Sequence, residues 1–205
     1  MSNHAAAATG MILGNNTTRL WGMSARERLR RGLLRVGVSQ LLTAPEEAQG
    51  TAVLLVSNHW VFDEPLLTAL AKTRDTVLLD PDSGAVVAAC VAAADVAVVA
   101  AAISSAAAPE ALPPQLQRRD IAGVAGQFNN ELRKRELPYL LRLVPETRAA
   151  VERRMFQGSY KGVTDFVTKF WWPRPAEVAT RWCAERGYSP NQVTFVGFLL
   201  VLLSF

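Results

Sequence analysis

Residues 51–56, Thr-Ala-Val-Leu-Leu-Val, form a short unbroken apolar run that ends at Ser57-Asn58-His59. A strand with one wet face alternates apolar and polar residues, whereas a strand that is apolar throughout needs cover on both faces, as in a sheet sandwiched between helices. The surrounding sequence repeats that demand. Residues 5–13 are a first apolar run, closed by the turn Gly14-Asn15-Asn16. Residues 76–79 and 85–91 are two more, joined by Asp80-Pro81-Asp82-Ser83-Gly84, a strong turn sequence. Helix signals lie between them. Ser24 and Glu27 have the capping-box spacing, and residues 25–36 set Leu29, Leu33 and Leu34 beside Arg26, Arg28, Arg30, Arg31 and Arg35 before Gly37 stops the helix. Residues 64–72 predict a second helix. Residues 121–127 fit a strand or a short helix, 140–144 a short strand, and 145–155 a helix with Glu146 near its positive end. Strands alternating with helices predict an α/β domain over residues 1–155, its layered sheet covered on both faces.

Residues 84–103 are apolar over the length of a membrane span. Alanine supplies little transfer energy, however, and Asp95 near the middle would be expensive in hydrocarbon. A strand to Val91 followed by a helix capped near Asp95 is the cheaper arrangement. Residues 104–117, rich in Ala and Pro, predict a loop.

Half of the 205 residues are hydrophobic and the net charge is +4. That balance suits nucleotides, anionic lipid or nucleic acid and is diagnostic of none. Cys90 and Cys183 match no zinc or redox spacing and read as two reduced thiols. No basic region precedes the short alanine run at residues 5–8, so no secretory signal is read, and the first 180 or so residues are expected on the cytoplasmic side.

Two constellations could hold a phosphate or nucleotide. After the first strand, the Gly14 turn leads to Arg19-Leu20: backbone amides in such a turn can cradle phosphate and Arg19 can neutralise it. An ordinary strand-to-helix turn with a surface arginine is the competing reading. Asn58, His59 and Asp63 lie just past a buried strand, where open α/β sheets bind ligands. Asp63 and Glu64 are the only carboxylates there, equally suited to capping the next helix, and His59 also reads as a packed histidine.

The composition changes after Met155. Phe156, Tyr160, Phe166, Phe170, Trp171 and Trp172 alternate with Lys161, Lys169 and Arg174. Trp and Tyr favour the membrane–water interface, and adjacent cations favour an anionic cytoplasmic leaflet. RNA stacking is the rival reading; the apolar run that follows within twenty residues favours the bilayer, with no nucleic acid as partner. Lys161, Lys169, Trp171, Trp172 and Arg174 are the candidate interface residues. Residues 176–186 predict a helix broken at Tyr188-Ser189-Pro190. The thirteen residues 193–205 are almost wholly apolar. As a helix they would span about 20 Å against a hydrocarbon core of about 30 Å, so the run reads either as the beginning of a transmembrane helix or as a buried helix.

The segment GSYKGVTDFVTKFWWPRPAEVATRWCAERGYSPNQVTFVGFLLVLL, residues 158–203, resembles the entry into the membrane domain of bacterial CDP-alcohol phosphatidyltransferases. Pro190-Asn191-Gln192-Val193-Thr194 resembles the start of the family's first transmembrane helix, and the Trp- and Arg-containing segment before it the interfacial helix. The first 155 residues look like the cytoplasmic domain fused ahead of that membrane domain in some members, a Rossmann-like, nucleotidyltransferase-type domain as in two-domain inositol-phosphate cytidylyltransferases. In that comparison Arg19-Leu20 falls on the Arg-Leu of the glycine-rich signature, and residues 53–63 on the strand leading to a metal-binding aspartate. The resemblance thus implies a nucleotide site at Gly14, Arg19 and Asn58, and a membrane part from residue 156.

The departures are specific. The glycine-rich signature is reduced to Gly14-Asn15-Asn16-Thr17-Thr18, the segment for a catalytic lysine is missing between Leu20 and Ser24, and Asn58 stands in place of the aspartate. The family's D-G-x-x-A-R motif is absent, since the chain has no Asp-Gly pair. The resemblance therefore implies the front part of an inner-membrane transferase with no catalytic or metal residue of its own. The whole enzyme would use Mg²⁺ or Mn²⁺ to release CMP from a CDP-alcohol. CTP or a CDP-alcohol and the bilayer are the implied partners, and a homodimer through the membrane part is compatible. An active polyol-phosphate cytidylyltransferase and a membrane-anchored, non-catalytic binding module are the alternatives.

Overall fold

The apolar runs become the strands of one sheet. The computed structural model of the chain describes residues 7–49, 52–105, 112–126, 138–159 and 171–204. In chain order these form β1 (Thr9–Leu13), β2 (Arg19–Leu20), β3 (Met23–Ser24), α1 (Ala25–Arg35), β4 (Gln40–Leu42), β5 (Val53–Ser57), β6 (Trp60–Phe62), α2 (Glu64–Ala71), β7 (Thr76–Leu79) and β8 (Val86–Val91). Then follow α3 (Val96–Ser105), β9 (Gln117–Arg119), α4 (Ile121–Ala125), β10 (Leu140–Arg142), α5 (Arg148–Ser159), α6 (Pro173–Glu185) and α7 (Pro190–Leu203). They divide into two compact units, Met1–Thr17 with Ala25–Val144, and Thr18–Ser24 with Pro145–Phe205. The change of composition after Met155 falls inside α5, whose Glu152 is tied into the second unit.

The first unit is a mixed α/β domain. Its six-stranded sheet has the order β4-β1-β5-β8-β7-β9, parallel throughout except for β8, which is antiparallel to both neighbours. The reason is local. Asp80 Oδ2 accepts hydrogen bonds from the Ser83 N–H at 2.9 Å and the Ser83 hydroxyl at 2.6 Å, and Gly84 takes φ +68°. This tight hairpin makes β7 and β8 antiparallel neighbours, and β8 then lies against β5.

Period-two alternation sends side chains to two cores. Ile12, Leu54, Val56, Leu78, Ala88 and Cys90 face α1 and α2 on one side of the sheet, where they meet Leu29, Leu33, Leu66 and Leu70. Met11, Val53, Leu55, Val77, Ala89 and Val91 face α3 on the other, against Val96, Val99 and Ile103. All five residues of β5 are buried, as the unbroken apolar run requires. The alanine-rich stretch is a strand and then a helix: a 3-10 turn at Ala93–Asp95 leads into α3, and Asp95 accepts a hydrogen bond from Gln115. The three-residue strands β4, β6 and β9 escape local signals; each owes its form to its neighbour.

Cys90 is fully buried on β8, and burial, with Asp75 adding a smaller electrostatic effect, pushes its thiol up to about 11. Cys183 is partly exposed. A disulfide reagent at pH 8 is therefore expected to modify Cys183 promptly and Cys90 only after unfolding, at least about a hundredfold more slowly, because the thiolate is the reactive species and the site is closed. Equal rates for the two thiols would refute this packing. Because the folded thiol holds its proton more tightly than an unfolded one, the associated stability is complete below about pH 8.5. It is lost as the pH rises through about 11.

The second unit is built from the β2–β3 hairpin and α5, α6 and α7. Trp21 and Gly22 form the two-residue turn, both with positive φ, +50° and +75°, as a type I′ hairpin demands. Gly22 is required twice over, since a Cβ there would overlap the Ala184 carbonyl. Helix α6 ends in a Schellman motif: Gly187 at φ +76° donates its N–H to the Ala184 carbonyl, and the Tyr188 N–H donates to Cys183. Helix α7 starts with a full capping box between Ser189 and Gln192, with Pro190 in the first turn. At fourteen residues it spans about 21 Å. Among the described residues no helix is long and apolar enough to cross a membrane.

Candidate functional site

The chain leaves β1 for β4 on one side and returns to β5 on the other. The carboxyl ends of β1 and β5 therefore form the topological switch point of the sheet, the place where open α/β sheets accept ligands. Gly14 follows β1 there and Asn58 follows β5, so the fold brings these two predicted residues together.

Their geometry is closed by internal bonds. Asn58 is 2% exposed. Its Oδ1 accepts from the Asn16 N–H at 3.2 Å, and its own N–H donates to the Leu13 carbonyl at 2.8 Å. The Asn16 side chain in turn donates to the Leu143 carbonyl at 2.8 Å, and the Leu143 N–H to the His59 carbonyl at 2.7 Å. Gly14 has φ +95°, and a Cβ on it would overlap Asn58 Oδ1 and lie 2.9 Å from His59 Cδ2. The glycine thus permits the β1 turn to close on the β5 turn. Asn16 and Leu143 were invisible to sequence reasoning, because their contacts span 42 and 127 residues.

Arg19 belongs to the second unit, and its guanidinium donates through Nε and Nη2 to the Gly22 carbonyl, closing its own hairpin. The two nearby carboxylates are also engaged: Asp63 caps α2 through the Glu64 N–H, and Glu64 pairs with Arg35 at 3.4 Å. The arginine flank of α1 is partly neutralised. Arg30 and Arg31 grip Glu27 at 2.9 and 2.8 Å and hold its carboxyl down to about 2.

A divalent cation prefers several anionic oxygens. The switch point offers a bonded carboxamide and an imidazole, and among the described residues no group of three His, Cys, Asp or Glu side chains gathers anywhere. The donors at this edge do not fit Mg²⁺ or Mn²⁺.

In the second unit, Trp171 is 77% and Trp172 56% exposed, and Arg174 is exposed beside them. Lys161 and Lys169 lie outside the described residues. The interior of the unit is ionic. Glu152, 1% exposed, accepts from the Trp21 N–H at 3.0 Å and pairs with Arg148 at 3.2 Å and Arg181 at 3.3 Å. Arg181 also pairs with Glu177 at 3.1 Å and lies 5.5 Å from the Trp21 ring, while Arg148 reaches Glu185 at 3.1 Å. Trp21 packs on Phe156 with centroids 5.9 Å apart.

No family model and no curated protein matches the chain.

Proposed function

We propose that this chain is the cytoplasmic front part of a membrane enzyme of the CDP-alcohol phosphotransferase type, one that passes a phosphoalcohol from a CDP-alcohol to an acceptor hydroxyl and releases CMP. The observation that carries the reading is α7. From Phe195 to Leu203 it is apolar on every side, and none of its residues is buried. A wholly apolar, uncovered helix is unstable in water at about 25 cal/mol per Å² of exposed apolar surface, and a lipid phase relieves that. The resemblance of residues 158–203 to the family's membrane entry supports the particular chemistry. The layered sheet with an open-sheet switch point supports a nucleotidyltransferase-like ancestry for the first unit.

In this reading the first unit is not itself a cytidylyltransferase. Nucleotidyl transfer needs cations to hold a triphosphate and to draw off its charge. Asn58 is a neutral amide already accepting from the Asn16 N–H, and the Arg19 guanidinium clasps the Gly22 carbonyl through two of its N–H groups. The metal that the transfer step employs would be held by residues outside this chain, which has no Asp-Gly pair.

The test is to express the whole gene product, isolate membranes and assay CMP release from CDP-diacylglycerol and from CDP-polyols with Mg²⁺ or Mn²⁺. CMP release from one of these donors is expected. Protein present in membranes yet inert with every donor sinks the reading. In the same membranes, CTP with phosphorylated polyols should yield no pyrophosphate; pyrophosphate release that Asn58→Ala abolishes would restore an active cytidylyltransferase instead.

A further inference from the structure

Trp21 is an unexpected residue for its backbone. The first position of a type I′ turn takes Asn, Asp or Gly, because φ is positive there, and a bulky side chain at +50° is an outlier. Such an outlier persists where the surroundings hold the residue in place. Here they use its side chain and its N–H together. The Trp21 ring meets Phe156, with centroids 5.9 Å apart, and the Arg181 guanidinium at 5.5 Å, while its N–H donates to the buried Glu152 carboxylate at 3.0 Å. Leu20 beside it is fully buried, and β2 packs on α5.

Helix α6 depends on this hairpin. None of its residues is buried. Val178 and Trp182, on its apolar side, are 70% and 48% exposed, so burial of apolar surface does little to fix the helix. Its polar side supplies the attachments: Arg181 to Glu152 at 3.3 Å, Glu185 to Arg148 at 3.1 Å, and the Ala184 carbonyl against Gly22. The first shares its carboxylate with the Trp21 N–H, and the last is a contact with the hairpin itself. The hairpin is also where the chain of the first unit enters the second: Thr17 before it and Ala25 after it both belong to the first unit. Only residues 17–20 separate Trp21 from Asn16, whose hydrogen bonds to Asn58 and Leu143 hold the sheet edge closed.

We propose that the Trp21 hairpin is a latch. Docked, it pins α6 to α5 through Glu152. Opening of the Asn16 turn draws the hairpin off its seat, and α6 is freed together with the α7 that follows it. The state of the first unit's β1 turn thereby governs the freedom of the last two helices. The latch is independent of the CDP-alcohol chemistry, and its test involves no turnover.

Backbone amide exchange is followed in the full chain in detergent micelles. Trp21→Asn suits the turn better than tryptophan does but removes the ring. It is expected to speed exchange over residues 181–184 of α6 about tenfold, while the α1 amides of Leu29 and Leu33 keep their native rates. Trp21→Phe, which keeps a ring against Phe156 and Arg181, should stay near the native rates. Asn16→Ala, a substitution in the first unit, should speed the Trp21 N–H and residues 181–184 about fivefold. Unchanged α6 exchange in Trp21→Asn would mean that turn geometry alone holds the helix, and equal acceleration of α1 that the hairpin belongs to one cooperative core; either overturns the latch. So does a Trp21→Phe chain that exchanges as fast as Trp21→Asn. An Asn16→Ala chain with Trp21 and α6 at their native rates overturns it too, since the hairpin is then a passive anchor.

Discussion

Gly14→Ala is expected to destabilise the first unit by about 3 kcal/mol, one of the two largest single-site effects anticipated in this protein. Two terms combine. The residue sits at φ +95°, where a Cβ costs about 1–2 kcal/mol. The same Cβ would overlap Asn58 Oδ1. Relieving the overlap breaks the Asn16–Asn58 hydrogen bond and strands a buried amide, adding about 1–2 kcal/mol. Gly37 provides the control: its φ is +100° but a Cβ there meets nothing within 4 Å, so Gly37→Ala should show the backbone term alone, about 1 kcal/mol. Denaturant unfolding of both variants checks the difference. Equal losses would mean that the turns after β1 and β5 do not close on each other as described.

Glu152→Ala is expected to loosen the second unit by about 3 kcal/mol. Breaking a buried ion pair by removing one partner typically costs about 3–5 kcal/mol. The lower figure applies because Arg148 and Arg181 keep 38% and 35% of their side-chain exposure and can recover some hydration. The Trp21 N–H would also lose its acceptor. Glu177→Ala, whose carboxylate is more accessible, should cost less than about 1 kcal/mol. Amide exchange reports the result directly: the Trp21 N–H should exchange about a hundredfold faster in the Glu152 variant and nearly normally in the Glu177 variant. Unchanged exchange at Trp21 in both would remove Glu152 from its central role.

The first unit was largely legible because its signals are short-range. The run at residues 51–56, the Asp80–Gly84 turn and the Ser24–Glu27 spacing each act within a few residues, and they predict β5, the β7–β8 hairpin and α1 close to where these lie. The alanine-rich stretch was resolved by one charge, Asp95. The candidate site was half legible. Position after a buried strand pointed to Gly14 and Asn58, but what they do depends on Asn16 and Leu143, whose approach no local rule contains. Arg19 illustrates the limit: its place after the first strand suggested phosphate, and no local rule contained the hairpin clasp that two of its N–H groups make to the Gly22 carbonyl.

The sequence by itself determined roughly where the longer elements lie, since caps, turns and apolar periods are properties of neighbouring residues. It also determined that α7 is apolar on all sides from Phe195 onward. Only the tertiary structure decided that β8 lies between β5 and β7, because strand order follows from burying both sheet faces at once. Likewise, only the tertiary structure decided that α6 turns its apolar face outward. Periodicity reveals that a helix has two faces, but which one turns inward depends on its partners, and here a buried carboxylate on α5 holds Arg181 and with it the polar face.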